Sequence, residues 1–277
     1  MVDAVALRGA LQARALCQNG GPVAGVASMS RRQKFAALIL SLGLTLGAAG
    51  TVHAEPTAAA NAMFNAGVEA FRAGDITAAV DSWSQAAKGG HGMAGYLVAR
   101  LYEQGRGVPQ SDGTAFHYYL LAAQAGNAQA ADKVGLVYRN GNAVVGVKRD
   151  YQKAFKMFEV GALAAWPDAQ YHLADMYRRG LGVPIERSES LRWLILAAEK
   201  RHVLSLLELA RIYFDGEGVQ QDRITGWSFL DLANRFAEPN NAGRVNTAMT
   251  KYSGRMRDGE KEQAKTVADD WLAKHEG

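Results

Sequence analysis

Ala94-Gly-Tyr-Leu-Val98-Ala99-Arg-Leu-Tyr102-Glu-Gln-Gly105-Arg-Gly107-Val108 is one copy of a unit that this chain of 277 residues repeats. A tyrosine followed three residues later by glycine recurs as Tyr102/Gly105, Tyr138/Gly141, Tyr177/Gly180 and Tyr213/Gly216, at intervals of 36, 39 and 36 residues. Self-similarity at this period is the mark of stacked helical hairpins, each too small to bury its apolar face alone. Ala94, Val98, Ala99 and Tyr102 fall on one helical face. They recur as Ala130, Val134, Gly135, Tyr138, then Ala169, Leu173, Ala174, Tyr177, then Ser205, Leu209, Ala210, Tyr213. Small residues in mid-face let a second helix approach closely, and the tyrosine fills the end of the contact. Glycine then ends the first helix, because it enters a left-handed turn without steric penalty.

A second helix follows in the same register. Val108, Val147, Val183 and Val219 are expected to tie the turn to the core. Three residues later stand Ser111, Asp150, Glu186 and Asp222. Serine and aspartate there accept hydrogen bonds from the first free backbone N–H groups of a helix; glutamate is a poorer cap. Ala115, Ala154, Ser190 and Gly226 come next, each with a large residue three further on: Tyr118, Met157, Trp193 and Phe229. The expected fold class is all-α, a right-handed α-solenoid of stacked helical hairpins.

The pattern resembles the Sel-one-like repeat (SLR) family, relatives of the tetratricopeptide repeats (TPR). The family signature, Tyr-x-x-Gly-x-Gly-Val, an acidic residue and a second helix ending in Ala-Ala, is nearly whole in Tyr102–Val108 with Ala122-Ala123 and in Tyr177–Val183 with Ala197-Ala198. It recurs in Tyr213–Val219, where Asn234 replaces the second alanine. The second repeat departs by a three-residue insertion, Asn142-Ala143-Val144-Val145 standing between Gly141 and Gly146-Val147. Insertions in surface turns cost little, so a tolerated bulge is the simpler expectation and a partner contact the other. The four repeats occupy 94–237. A TPR-like leading hairpin precedes them at 55–93, with Gly74-Asp75 as turn and cap. Capping helices are expected over 238–277, including a charged helix from about Gly259 to His275 that places Ala264, Val267, Ala268, Trp271 and Leu272 on one face.

At the amino terminus Met29-Ser-Arg31-Arg32-Gln-Lys34, a fifteen-residue run from Phe35 to Ala49 that is apolar apart from Ser41 and Thr45, and Val52-His53-Ala54 read as an export signal at 29–54. Cleavage is expected between Ala54 and Glu55, with no membrane insertion afterwards; an uncleaved anchor is the alternative, though the apolar run is shorter than the roughly twenty residues a spanning helix needs. Residues 1–28 read as an upstream extension from a mis-assigned start. The expected location is the bacterial periplasm. The net charge of +4 is then misleading. Residues 1–54 hold five basic side chains and one acid, and removing these from 31 and 27 leaves 26 of each sign. Nothing in that balance favours nucleic acid, which needs a clustered basic face. The single cysteine, Cys17, lies in the discarded segment.

No metalloprotease, phosphate-loop, nucleophile-elbow or dinucleotide motif is present, and the six histidines are scattered. His117 and His172 read as packing or solvated side chains. The paired cysteines of SLR members linked to penicillin-like ligands are missing. The expectation is therefore no catalytic residue, no metal and no cofactor. What the resemblance implies is a protein or peptide partner, an envelope protein or a sensor domain, held on a concave surface lined by the first helices. Candidate contact residues are Tyr96, Arg100 and Glu103, then Arg139, then Tyr171, Asp175 and Arg178, then Arg211 and Phe214. Arginine with aromatics is the composition of interface hot spots. The leading reading is a non-enzymatic adaptor. The alternatives are a periplasmic inhibitor of a sensor kinase that controls surface polysaccharide, and a cell-wall enzyme or its accessory subunit.

Overall fold

The computed structural model describes residues 55–275, so the expected extension and export signal at 1–54 lie outside the described residues. Among the described residues twelve helices follow one another: α1 (Ala58–Arg72), α2 (Ile76–Lys88), α3 (Gly92–Gln104), α4 (Asp112–Gln124), α5 (Ala128–Asn140), α6 (Tyr151–Leu163), α7 (Pro167–Arg179), α8 (Arg187–Glu199), α9 (Val203–Asp215), α10 (Arg223–Arg235), α11 (Ala242–Ser253) and α12 (Glu260–His275). The first ten pair as antiparallel hairpins, and each second helix packs on the first helix of the next hairpin. The architecture is the expected α-solenoid.

The helix ends explain the regularity. Ser111 Oγ accepts from Thr114 N at 3.2 Å, Asp150 Oδ1 from Lys153 N at 3.0 Å, and Asp222 Oδ1 from both Ile224 N and Thr225 N. Glu186 makes no side-chain cap, as its extra methylene suggests. The first helices carry caps of their own: Asn127 Oδ1 accepts from Ala130 N, and the Nδ1 atoms of His91 and His202 accept from Ala94 N and Ser205 N. Gly105, Gly180 and Gly216 close α3, α7 and α9 in the left-handed region.

The small-residue face is the core. Ala94, Ala99, Ala130, Ala169, Ala174 and Ala210 are fully buried. Gly135 holds the place that Ala99 holds one repeat earlier, and there the ring of Phe158 fills the gap: a Cβ on Gly135 would stand 2.6 Å from that ring. The deepest large side chains of the second helices are four residues beyond the small one, not three. Tyr119, Phe158, Leu194 and Leu230 are all buried, whereas Tyr118 and Met157 are only partly so. The four turn valines are partly buried, covering the core edge and not filling it.

Two regions differ from the regular pattern. The insertion in the second repeat is a built turn. Asn142 N donates to Val147 O at 2.7 Å and Val147 N returns to Asn142 O at 2.9 Å, while Asn142 Oδ1 accepts from Val144 N and Val145 N. Gly141 launches it with φ 74° and ψ 158°, so α5 ends without the left-handed cap of its counterparts. Val144 is held at the tip, 78 % exposed. At the carboxyl end, α11 forms within 238–277, ahead of the one capping helix whose extent the sequence marks. Its Val245 and Tyr252 are buried, and Tyr252 stacks on Phe214 with ring centroids 4.2 Å apart. Helix α12 buries Ala264, Ala268 and Trp271 as it packs on α10, with Val267 and Leu272 partly covered. Arg235–Asp269 and Arg223–Glu260 bridge the two helices. No helix among the described residues is long and apolar enough to cross a membrane.

Candidate partner-binding face

The first helices α3, α5, α7 and α9 carry a ribbon of polar side chains joined from one repeat to the next. It begins at Glu103, whose carboxylate accepts from the Tyr119 hydroxyl at 2.8 Å and pairs with Lys133 of α5 at 3.3 Å and Arg100 at 3.8 Å. Arg100 also donates to the Tyr96 hydroxyl, a bond that raises its pKa, and Tyr96 sits 5.9 Å from the Tyr119 ring. Burial, then the bond to Glu103, pushes the Tyr119 phenol far up, so it remains a donor. Between α5 and α7, His172 Nδ1 lies 2.7 Å from Asp132 Oδ1, both side chains mostly covered. Tyr171 sets its ring 5.5 Å from that of His202, and burial raises its phenol, helped by Glu208 and Asp175.

Asp175 accepts from Arg178 at 2.5 Å and from Arg179; Arg178 also reaches Glu208 of α9 at 3.4 Å. Arg211 clamps Glu208 at 2.7 Å and Glu217 in the following turn at 2.6 Å, and those bonds, the Glu208 bond first, raise its pKa further above its ordinary value. Arg255, beyond α11, ends the ribbon on Asp215 at 2.9 Å. Exposed pairs of this kind contribute little stability each, about 0–1 kcal/mol. They order the side chains of a face that is charged and aromatic at once.

Eight of the nine anticipated residues lie on or beside this ribbon. Tyr96, Arg100 and Glu103 form one cluster, and Tyr171, Asp175, Arg178 and Arg211 form another. Arg139 stands between them, with its guanidinium 5.7 Å from the centre of the Phe158 ring. Phe214 is a correction: it is fully buried and stacked on Tyr252, with the Arg255 guanidinium 5.4 Å from the centre of each ring, and is core, not contact surface. The sequence names neither Lys133 nor Glu208 as a contact and reads His172 as a packing or solvated side chain, although one column of the repeat holds all three together with Leu97. The column six residues further holds Glu103, Arg139, Arg178 and Phe214. Glu103–Lys133 and Arg178–Glu208 join the second column of one repeat to the first column of the next. Arg139 and His172 cannot pair this way, both being basic, so His172 turns to Asp132 and the two share the Phe158 ring. Comparing like positions across repeats was the signal available.

Two cavities open beside the ribbon. One, of about 200 Å³, has Phe116, Val134, Val137 and Val145 of the inserted turn among its apolar walls and Glu103, Asp112 and Lys133 at its rim. The other, of about 340 Å³, lies where Asp168 and His202 face the segment entering α11. Among the described residues no group of three or more metal-ligating side chains occurs.

A family model described as Sel1 repeat matches residues 93–127, 128–164, 167–202 and 203–234. Two curated proteins named exopolysaccharide production negative regulator are similar to this chain. The one from Rhizobium leguminosarum bv. viciae is 29% identical over 164 residues, 55% of this chain and 61% of its own length. The one from Rhizobium meliloti (strain 1021) is 27% identical over 199 residues, 65% of this chain and 74% of its own. The match thus spans about three fifths of the first relative's length. Among solved structures, c5321, a protective antigen of uropathogenic Escherichia coli displaying an SLR fold, superposes with a TM-score of 0.64 at 22% identity, over 88% of this chain and 49% of that one. The repeat register, the hairpin stack and the family match agree, and this chain belongs to the Sel1 repeat family.

Proposed function

We propose that this chain is an exported, non-catalytic adaptor that restrains surface-polysaccharide production by holding an envelope protein against its first-helix face. The similarity to two exopolysaccharide production negative regulators carries this reading. The ribbon supports it: ordered arginines, carboxylates and tyrosines on consecutive helices offer alternating charge and flat aromatic surface, as protein interfaces use. The periplasmic location rests on the pattern at 29–54. A sensor kinase's external domain is the partner class that fits both the location and the relatives' names.

The test is deletion of the gene in its own organism, complemented by tagged chains and followed by in-cell crosslinking with mass spectrometry of what is captured. Polysaccharide should rise on deletion and return to normal with the intact chain. A chain carrying Arg139→Ala, Tyr171→Ala and Arg178→Ala should be exported and folded but neither capture the partner nor restore control. Normal polysaccharide after deletion would sink the regulatory reading, and turnover of wall fragments by the purified chain would sink the non-catalytic one.

A further inference from the structure

The cavity beyond the ribbon has an arrangement that the adaptor reading does not use. One wall is the segment entering α11, with Asn240, Asn241 and Arg244. Asn241 Oδ1 accepts from Glu238 N at 2.8 Å, which engages its oxygen and leaves its amide N–H groups as unused donors. No hydrogen bond or ion pair within the described residues occupies the Asn240 amide or the exposed Arg244 guanidinium. Arg244 is thus an exposed cation on the cavity wall with no carboxylate partner among the described residues. The facing wall is Asp168 and His202, with Val203 and Leu204 beside them.

The state of His202 follows from its neighbours. Its Nδ1 accepts from Ser205 N and lies 2.9 Å from Ser205 Oγ, so the proton sits on Nε2, 3.2 Å from Asp168 Oδ1. That contact holds the Asp168 carboxyl below its usual range, as an acceptor. One of its oxygens receives the imidazole N–H, and lone pairs remain for another donor.

We propose that this cavity binds a carboxylate bearing an N–H donor on the neighbouring carbon, the chemistry shared by a free amino acid and the C-terminal residue of a peptide. Arg244 and the two asparagine amides supply donors for the carboxylate, and Asp168 accepts from the nitrogen. A simple anion would meet Asp168, and a simple cation would meet Arg244, so neither alone satisfies both walls. Val203 and Leu204 give the side chain an apolar seat. A volume of about 340 Å³ is near the lower end for small-ligand sites and suits one or two residues.

Saturation-transfer NMR on the purified full chain tests this with three probes: an equimolar pool of the twenty amino acids, Ala-Ala-X tripeptides as free acids, and the same tripeptides as C-terminal amides. Transfer to either acid pool is expected, with the amides roughly tenfold weaker because a charge-assisted pair is lost. Amino acids alone would identify a small-molecule site; the tripeptide acids would identify a chain terminus. Arg244→Gln should weaken binding roughly tenfold with no change in melting temperature, since the side chain is exposed and unpaired. Equal transfer to acids and amides, no transfer to any pool, or unchanged binding by Arg244→Gln would each overturn the proposal. Partner capture by the Arg244→Gln chain would show the adaptor role standing apart from this site.

Discussion

The second and fourth repeats are the same hairpin built under different constraints. In the fourth, Tyr213 is buried, and burial raises its phenol; α9 ends in a left-handed glycine, and α10 carries nine buried residues. In the second, Tyr138 is partly exposed, α5 runs into the inserted turn, and α6 carries four buried residues, leaving Gln152, Lys153, Lys156 and Glu159 to solvent. The cause lies outside the repeats. Helix α10 is covered on one side by α9 and on another by α11 and α12, while the outer face of α6 meets water. In a solenoid, stability is the sum of each unit's own packing and its neighbour terms. The carboxyl-terminal half should therefore hold its amides longest, and opening should begin before it.

The largest effect expected compares one column of the repeat. Phe214→Ala should cost about 3–5 kcal/mol through the cavity left beneath Tyr252. Arg139→Ala, at the same place in the second repeat, should stay within about 0.5 kcal/mol. Denaturant midpoints at constant m-value measure both, and similar losses would erase the distinction drawn here.

Next come the caps. Asp222→Ala removes acceptors from two backbone N–H groups and from the Thr225 hydroxyl, and should cost about 1–2 kcal/mol. Asp150→Ala, which frees the single backbone N–H of Lys153, should cost less. Glu186→Asp should instead raise the melting temperature, by supplying the cap missing from the third repeat.

Gly135→Ala sets two terms against each other. Alanine improves helix propensity by about 1 kcal/mol, but a methyl 2.6 Å from the buried Phe158 ring forces a shift worth about 1–3 kcal/mol. A net loss of roughly 1 kcal/mol is expected, and a gain would mean the second repeat is looser than described.

The smallest effect extends the comparison to the start of the array. Burial lowers the pKa of His91, whose Nδ1 must be unprotonated to cap α3. The unfolded chain then binds the proton first as pH falls. This contribution is complete above the ordinary value of 6.5, declines as pH drops toward the lower folded value, and is flat below it. His91→Asn keeps the cap and should remove that component from a plot of melting temperature against pH.

Much of the fold was legible because the repeat writes its packing locally. Small residues, a tyrosine and a glycine within some fifteen positions determine one helix and its stop, and the next copy checks the assignment. The extent of helix α11 was not legible. Asn240-Asn241-Ala-Gly243 reads as a break, and the helix beyond it is held by Tyr252 finding Phe214, a contact 38 residues distant in sequence. Phe214 was misread for the same reason. Its counterparts on the other first helices are surface residues, and only a segment lying outside the repeat pattern covers it. The ribbon is half visible in sequence: each helix read alone shows its arginines and tyrosines, whereas the pairing of Lys133 and Glu208 across repeats emerges only from reading down a column.

The turn from Asn142 to Val147 also bears on translation. A stack of similar hairpins presents a partner with nearly the same seat again every 36 residues, and a partner that recognised only the common pattern could settle one place too far along. Val144, held at the tip of a hydrogen-bonded turn, occurs in a single repeat. It breaks the period of an otherwise regular ruler, so that the second seat differs in shape from the other three.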